Sequence, residues 1–585
     1  MKTFFNKYTL AAAAIIFAMS GCDDLFEPAI ENNLGMEYMY DHPDYAEGIL
    51  NNAYARLPNN ATSFNDVATD DAVSNQSSNN YRKMADGAWA SDNNPMDRWT
   101  NMRAGIQYAN LFLENVDKVN WCEDEKAAEL YRRRLTGEAY GIRAILTYYL
   151  LEAHSGFVGG TLYGIPIVTS SEDASTDFNY PRNTFKECID AIYSDIDKAM
   201  ELLPEEYVNI ASDDQIPSKY SSIGADYEQY NRAMGVNFSG LLCGKILEAY
   251  QGKAALLAAS PAYETAGAKT YADAANYFAK VLSRIGGVGG MDPIGNTWYN
   301  NAAQIKAMTG GACTPEMLWR DSKSTNSYSL EQDNLPPSIY GSGKVNPTQN
   351  LVDCFGDIKG YPINNKSAVY SASDPYKGRD PRLDLYIIHD GSKFGSSTIT
   401  TDGSNNDALN KESGRSTRTG YYMKKHLRSD VVLTSTSKTG QDHYSPRVRY
   451  TEMFLSYAEA ANEAFGPLTA ADGVTFTAYD VIKAIRQRAG ITGDQYLEDI
   501  KADKEKMREL IRNERRIELC FEGFRFYDMR RWKLSLNETA KGVNSQDGYS
   551  VMNVDTRNYA DYMYYGPIPY TDILKFSALT QNQGW

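Results

Sequence analysis

Between about residues 38 and 285, apolar side chains return every third or fourth position, the period of a helix with one buried face. The clearest stretch opens at Thr184. Glu187, three residues on, completes a reciprocal capping pair, and Phe185, Ile189, Ile192, Ile196, Ala199 and Leu203 form the apolar stripe that Pro204 ends. Leu135, Ala139, Ile142, Leu146 and Tyr149 predict a second helix. Gly252 to Ser260 is alanine-rich before Pro261, and Tyr271, Ala274, Phe278 and Val281 predict its short partner. Successive amphipathic helices with small contact residues predict hairpins stacked in a solenoid-like array. No clean 34-residue period recurs, so the pattern gives paired helices and not a proven repeat.

From about 286 to 449 the texture changes to Gly, Asn, Ser, Asp and Pro with isolated aromatics, as in Gly286-Gly287-Val288-Gly289-Gly290 and Asp333-Asn334-Leu335-Pro336-Pro337. This pattern predicts loops with short strands. Loops on a rigid scaffold can vary without unfolding it, so function is expected to concentrate here. Helix returns at about 450–465, 478–489 and 503–519, and the tail from Tyr559 to Trp585 reads as extended and aromatic.

Charge narrows the partners. The 585 residues carry 59 Lys and Arg against 75 Asp and Glu, a formal charge of −16, which argues against nucleic acid and disfavours an anionic cargo. The 43 tyrosines, with 7 tryptophans and 20 phenylalanines, suit surfaces that contact amphipathic ligands such as sugars. At the N-terminus Lys2 and Lys7 precede an apolar run from Leu10 to Met19, which is too short to span a bilayer. The run ends in Met19-Ser20-Gly21-Cys22, which resembles a bacterial lipobox. Residues 1–21 are therefore read as a lipoprotein signal peptide, Cys22 as the lipidation site, and 22–37 as a tether with Asp23 and Asp24 directly after the cysteine. Six cysteines remain, an even number that permits disulfides in an exported chain. Cys188 and Cys520 instead sit in apolar surroundings and read as small buried hydrophobes. With no close CxxC spacing and five scattered histidines, no metal site and no cofactor are predicted.

Several blocks together carry a resemblance. Lys506 to Lys533, KMRELIRNERRIELCFEGFRFYDMRRWK, is similar to the signature of SusD/RagB-type nutrient-binding lipoproteins, where an ERR-E helix runs into an FEG-RF-D--RW turn. Gly566-Pro567-Ile568-Pro569 and Gln581-Asn582-Gln583-Gly584-Trp585 resemble the family's ending, with Gln583 where Pro is common. Arg449-Tyr450-Thr451-Glu452 through Tyr457 to Glu463 resembles its RYAE--L-YAEA-NE helix, with Thr451 in place of Ala. Asp380-Pro381-Arg382-Leu383, Thr419-Gly420-Tyr421-Tyr422 and Arg488-Ala489-Gly490 match shorter blocks in order along the chain. The resemblance implies a mainly α fold of tetratricopeptide-like helix pairs, an α-α superhelix, plus a loop-rich region with short strands. It implies one such domain over 38–585: helical scaffold at about 38–285 and 450–533, ligand-facing loops at about 286–449, and the tail at 559–585. It also implies a surface-exposed lipoprotein of the outer membrane. Such a protein lies as a lid over a SusC-like TonB-dependent transporter and hands it oligosaccharides, or peptides in some branches, without catalysis.

The charged residues of the signature (Arg512, Arg515, Arg516, Glu514, Glu518, Glu522, Asp528) fall at helical spacing and read as ties between elements, with Trp532 as core. The ligand is expected on the variable loops, where flat aromatics meet a sugar's CH face and Asp, Asn, Gln and Arg meet its hydroxyls. The first candidate stretch is Asp66 to Trp89, with Asp70, Asp71 and Tyr81. Trp89 is the leading stacking residue against the alternative of a buried loop anchor, and Trp99 reads as core. Trp298 and Tyr299 form the second candidate, and Tyr328 to Tyr340 the third, with Tyr340 at its end. Cys313 and Arg379 complete the set, Arg379 with the alternative of pairing to Asp380 or Asp384. Three functions remain open on these residues: a neutral-glycan-binding lipoprotein, a peptide-capturing or scaffolding relative, and a glycan-cleaving enzyme using two carboxylates.

Overall fold

The computed structural model describes residues 35–585. The signal peptide, Cys22 and most of the tether lie outside the described residues. The longer helices are α1 Pro43–Tyr54, α2 Trp99–Asn115, α3 Glu125–His154, α4 Phe185–Leu202, α5 Tyr227–Met234, α6 Gly244–Ala259 and α7 Tyr271–Ser283. After the loop-rich stretch come α8 Tyr450–Phe465, α9 Ala478–Arg488, α10 Lys504–Glu518 and α11 Arg525–Arg531. The fold is mainly α.

Successive helices pack as neighbours: α1 on α2, α3 on α4, α6 on α7, and α8 on both α7 and α10. Small residues allow the close approach. A methyl group on Gly252 of α6 would stand 2.6 Å from the Phe278 ring of α7, too near for any side chain there. The Thr184 cap forms as its spacing predicts, with the hydroxyl taking the Glu187 N–H and the Glu187 carboxylate taking the Thr184 N–H. Phe185, Ile189, Ile192 and Ile196 then face the main core, and Cys188 joins them.

The stretch 286–449 is loops with short strands, as predicted, but it also holds short helices at Ala302–Ala307, Ser329–Asn334, Gln349–Val352 and Arg382–Tyr386. The strands used below, three of them outside that stretch, are β1 Ala72–Ser74, β2 Met317–Arg320, β3 Val345–Pro347, β4 Pro446–Arg449, β5 Ala540–Asn544 and β6 Ser550–Asp555. Among the described residues the strands pair only two by two: β1 with β3, β2 with β4, and β5 with β6. So little sheet cannot hold such a region alone; a second apolar core does, built on Trp298, Phe355, Tyr386, Tyr421, Tyr422 and Phe521. The tail is extended as predicted except for a 3-10 turn at Asp561–Tyr564 and a short helix at Tyr570–Lys575. It docks through His154, whose ring lies 2.7 Å from the Pro567 carbonyl, and through Asn582, which donates to the carbonyls of His154 and Gly566.

Where helices meet loops, the signature residues form a buried ionic seam. Arg382 reaches Asp380, Glu514 and Glu518. Arg449 spans Glu316 and Glu522, and Lys425 also pairs with Glu522. Arg531 joins Glu459 to Asp528, and Arg515 closes on Asp528 from α10. The spacing-based reading of these residues as ties is the observed arrangement, with one difference: Arg512 lies over the Trp532 ring, 4.8 Å from its centroid, rather than in an ion pair.

Candidate functional site

Most of the aromatics and charges singled out in the sequence are committed to packing. Trp89 is 4% exposed, boxed by Phe526, Tyr559 and Trp585 with the Arg530 guanidinium 4.9 Å from its ring, and its indole N–H donates to Asn94. It has no open face to stack a sugar, so the alternative of a loop anchor is the one observed. Trp298, at 1% exposure, and Tyr299 sit in the second core edge-on to each other, Trp298 also edge-on to His426 and Tyr299 tilted against it, with the Tyr299 hydroxyl spent on the Leu385 carbonyl. Their glycine-rich surroundings suggested a loop tip; the apolar neighbours from other segments bury it.

The charged candidates are committed in the same way. Asp70 and Asp71 receive Arg516 of α10 and Arg525 at the start of α11. Burial alone would raise the Asp70 carboxyl, but the two guanidinium groups win and hold it well below the usual range. The Arg379 fork donates to the carbonyls of Val352, Phe355 and Pro375 and pairs with neither Asp380 nor Asp384. Cys313 is partly buried against the second core, which pushes its thiol up. Tyr81 is half-buried between the second core and the Trp89 cluster.

Tyr340 is the exception. It follows the Pro336-Pro337 turn in the left-handed region (φ 65°), an uncommon conformation for an aromatic residue, and its side chain is among the exposed ones at 49%. The turn is held from several sides. Asn75, directly after β1, directs its amide N–H group at the carbonyls of Ser342 (3.0 Å), Gly343 (2.7 Å) and Ser416 (3.3 Å). Gln76 donates to Gly414, and Arg415 donates to Gly341 while pairing with Glu412. The β1–β3 pairing brings these segments into register, since Ser74 lies opposite Val345. Two of the three predicted loops, Asp66–Trp89 and Tyr328–Tyr340, therefore meet, and residues 405–418 join them.

Beside this turn the loop after β1 carries a short helix, Asn80–Lys83, capped by the Asn79 side chain and broken at Gly87 (φ 103°). Arg82 and Arg418 both donate to the Ser74 carbonyl, and Arg418 grips Asp555 of β6 through two bonds of 2.7 and 2.5 Å. Asp86 lies 3.9 Å from Arg82 and stays partly exposed; partial burial and the neighbouring Asp555 raise its carboxyl. The junction thus combines one open ring with guanidinium, amide and carboxylate groups on a backbone held by cross-loop hydrogen bonds. Such a surface can stack on a sugar face and exchange hydrogen bonds with hydroxyls. Among the described residues no cluster of three or more His, Cys, Asp or Glu could hold a metal ion. Gln76 lies in the first predicted stretch, Asp66 to Trp89, whereas Arg415 and Arg418 were missed in the sequence; a single arginine flanked by Gly and Ser in Glu412-Ser413-Gly414-Arg415-Ser416 was the one available signal.

Two family models match, the SusD family over residues 315–585 and a model described as starch-binding, associating with outer membrane, over 38–221. The chain belongs to the SusD/RagB family. The family is one of carbohydrate-binding proteins associated with the outer membrane. Solved structures share the SusD fold along nearly the whole length. A SusD-like protein from Bacteroides fragilis, BF3747, is 22% identical with a TM-score of 0.68, covering 94% of this chain and 99% of its own. A SusD-like carbohydrate binding protein from the same organism, BF0978, is 20% identical (TM-score 0.66; 93% and 100% covered). A laminarin binding SusD-like protein is 17% identical (TM-score 0.57; 93% and 100% covered). No curated protein matches the chain. No helix among the described residues is long and apolar enough to cross a membrane.

Proposed function

We propose that this SusD-like chain is a non-catalytic capture protein. It binds a neutral oligosaccharide at the junction of residues 75–89, 336–343 and 412–418, and delivers it to a SusC-like TonB-dependent transporter while a lipid on Cys22 holds it at the outer face of the outer membrane. The observation that carries the reading is the exposed, left-handed Tyr340 on a turn that Asn75 and Arg415 hold, in a chain of a carbohydrate-binding family. Tyr340 covers one ring face, while the Arg, Gln and Asp groups fix hydroxyl directions. A neutral cargo fits a chain of formal charge −16 better than an acidic one.

Titration with neutral glycans, acidic glycans and peptides tests it. The reading requires saturable binding of a neutral glycan that weakens when Tyr340 is replaced, with no reducing ends released on prolonged incubation. Binding confined to peptides would move the chain to the peptide-capturing branch, and release of reducing ends would replace capture by catalysis.

A further inference from the structure

Away from the Tyr340 turn, two cavities of about 610 and 390 Å³ share one wall residue, Asp353. Both run over α10. Glu509 and Asn513 line the first and Arg516 the second, positions four and three residues apart and hence on one face of the helix, a run of ~10 Å. The first cavity is also walled by Pro362 to Asn365 and by Tyr496.

That wall is built rather than loose. The fully buried Asp357 carboxylate accepts the N–H groups of Lys359 (3.0 Å), Tyr361 (2.9 Å) and Val369 (2.7 Å), which pins both ends of the loop. Inside it, Asn365 N–H donates to the Pro362 carbonyl, and the Asn365 side-chain oxygen takes the Ser367 N–H. Tyr496 is braced by Tyr361, their rings 5.7 Å apart.

The polar groups of the groove are held in place but not used up. Asn513 commits its amide N–H to the Cys354 carbonyl, and Asp353 accepts from Gln349 through one of its two oxygens. Among the described residues no side-chain hydrogen bond engages Asn364, the Tyr496 hydroxyl, Glu509 or Glu538. Arg516 and Arg525 on the wall of the second cavity are neutralised by Asp70 and Asp71, so the free charges are Asp353, Glu509 and Glu538 against Lys541. A groove with amides, net negative charge and one braced aromatic ring selects against anions and matches a ligand rich in neutral hydroxyls.

We propose that this groove over α10 is a second glycan contact, which holds a further stretch of a neutral polysaccharide whose first contact is the Tyr340 junction. The inference rests on the glycan-capture reading. Two sites on one chain raise the retention of a long polymer without raising affinity for a short one.

Laminarin and soluble starch, with their short oligosaccharides, are the probes, and the readouts are affinity electrophoresis for the polymers and calorimetry for the oligosaccharides. Asn364→Ala with Tyr496→Ala should weaken polymer retention at least fivefold and leave oligosaccharide binding at the junction unchanged. Tyr340→Ala should weaken both. Thermal melting checks that each variant folds, and Asn364→Asp alone, at an exposed position, gives a groove change that leaves the Tyr361–Tyr496 contact intact. Polymer retention equal to the unmodified chain in both groove variants would overturn the second contact while leaving the junction standing. Loss of association with the transporter at unchanged polymer retention would overturn it too, in favour of a protein-docking surface. If the unmodified chain binds no neutral glycan, the capture reading itself fails.

Discussion

The ionic seam along α10 and the junction around Tyr340 draw on the same residue types, Arg, Asp, Glu and Asn, and differ in what surrounds them. In the seam Arg382, Arg449, Glu514, Glu518 and Glu522 are all buried, and each charge has a partner of opposite sign. At the junction Arg415, Glu412 and Asp86 keep one side in water. A buried charge that loses its partner is costly, so the seam tolerates little change. A solvated one loses almost nothing, so the junction can vary its ligand chemistry while the fold stands. The seam fixes where the loops stand, and the junction is free to bind.

The largest test of that contrast is Arg449→Ala. It leaves buried Glu522 with Lys425 alone and buried Glu316 with only Arg488, 3.6 Å away, and should cost about 3–5 kcal/mol of stability in chemical denaturation. Arg415→Ala, at the junction, should change stability by less than about 1 kcal/mol. Equal costs would erase the distinction. Trp89→Ala should also destabilise by about 3–5 kcal/mol, because it empties the cluster with Phe526, Tyr559 and Trp585. A folded Trp89→Ala chain with lost glycan affinity would return Trp89 to the binding surface.

Acid should loosen the seam. The Glu522 carboxyl is buried, which raises it, but Arg449 and Lys425 outweigh burial and hold it near about 2, below the ordinary 4.5. Its stabilisation is therefore complete above about pH 4.5 and is lost as pH falls toward 2. The melting temperature should drop across that window, and the Glu522→Gln chain, already less stable at neutral pH, should show a shallower drop. An identical pH profile in that variant would remove Glu522 from the account.

How much of this was legible in the chain follows the range of the forces. The Thr184 cap, the stripe of α4 and the small residues between α6 and α7 depend on neighbours within a few turns, so periodicity revealed them. The ERR-E block read as ties because its charges repeat at helical spacing, although which aspartates it would reach was not visible. Asp70 and Asp71 lie some 445 residues from Arg516 along the chain, and nothing local distinguishes a carboxylate awaiting an arginine from one awaiting a sugar. Trp298 and Trp89 misled for the same reason: glycine and asparagine neighbours signal a loop, and the residues that bury the ring come from elsewhere. Tyr340 was named in the sequence, but its left-handed backbone was not foreseeable from Ser338-Ile339-Tyr340-Gly341.

The smallest expected effect on the fold carries the most information about the site. Tyr340→Gly relieves a left-handed non-glycine residue and should leave stability unchanged or raise it by up to about 1 kcal/mol, while removing the one open ring. Stability and binding should thus move in opposite directions at this position, and a loss of both would make Tyr340 a packing residue like Trp89.

The central claim, that the open junction and not the buried aromatics takes the ligand, is tested most directly by calorimetric titration of the unmodified and Tyr340→Ala chains with neutral oligosaccharides from starch and laminarin. The account predicts saturable heat for at least one of them and an affinity weakened by about 1–2 kcal/mol in the variant, at an unchanged melting temperature. Equal affinity in the two chains would contradict it.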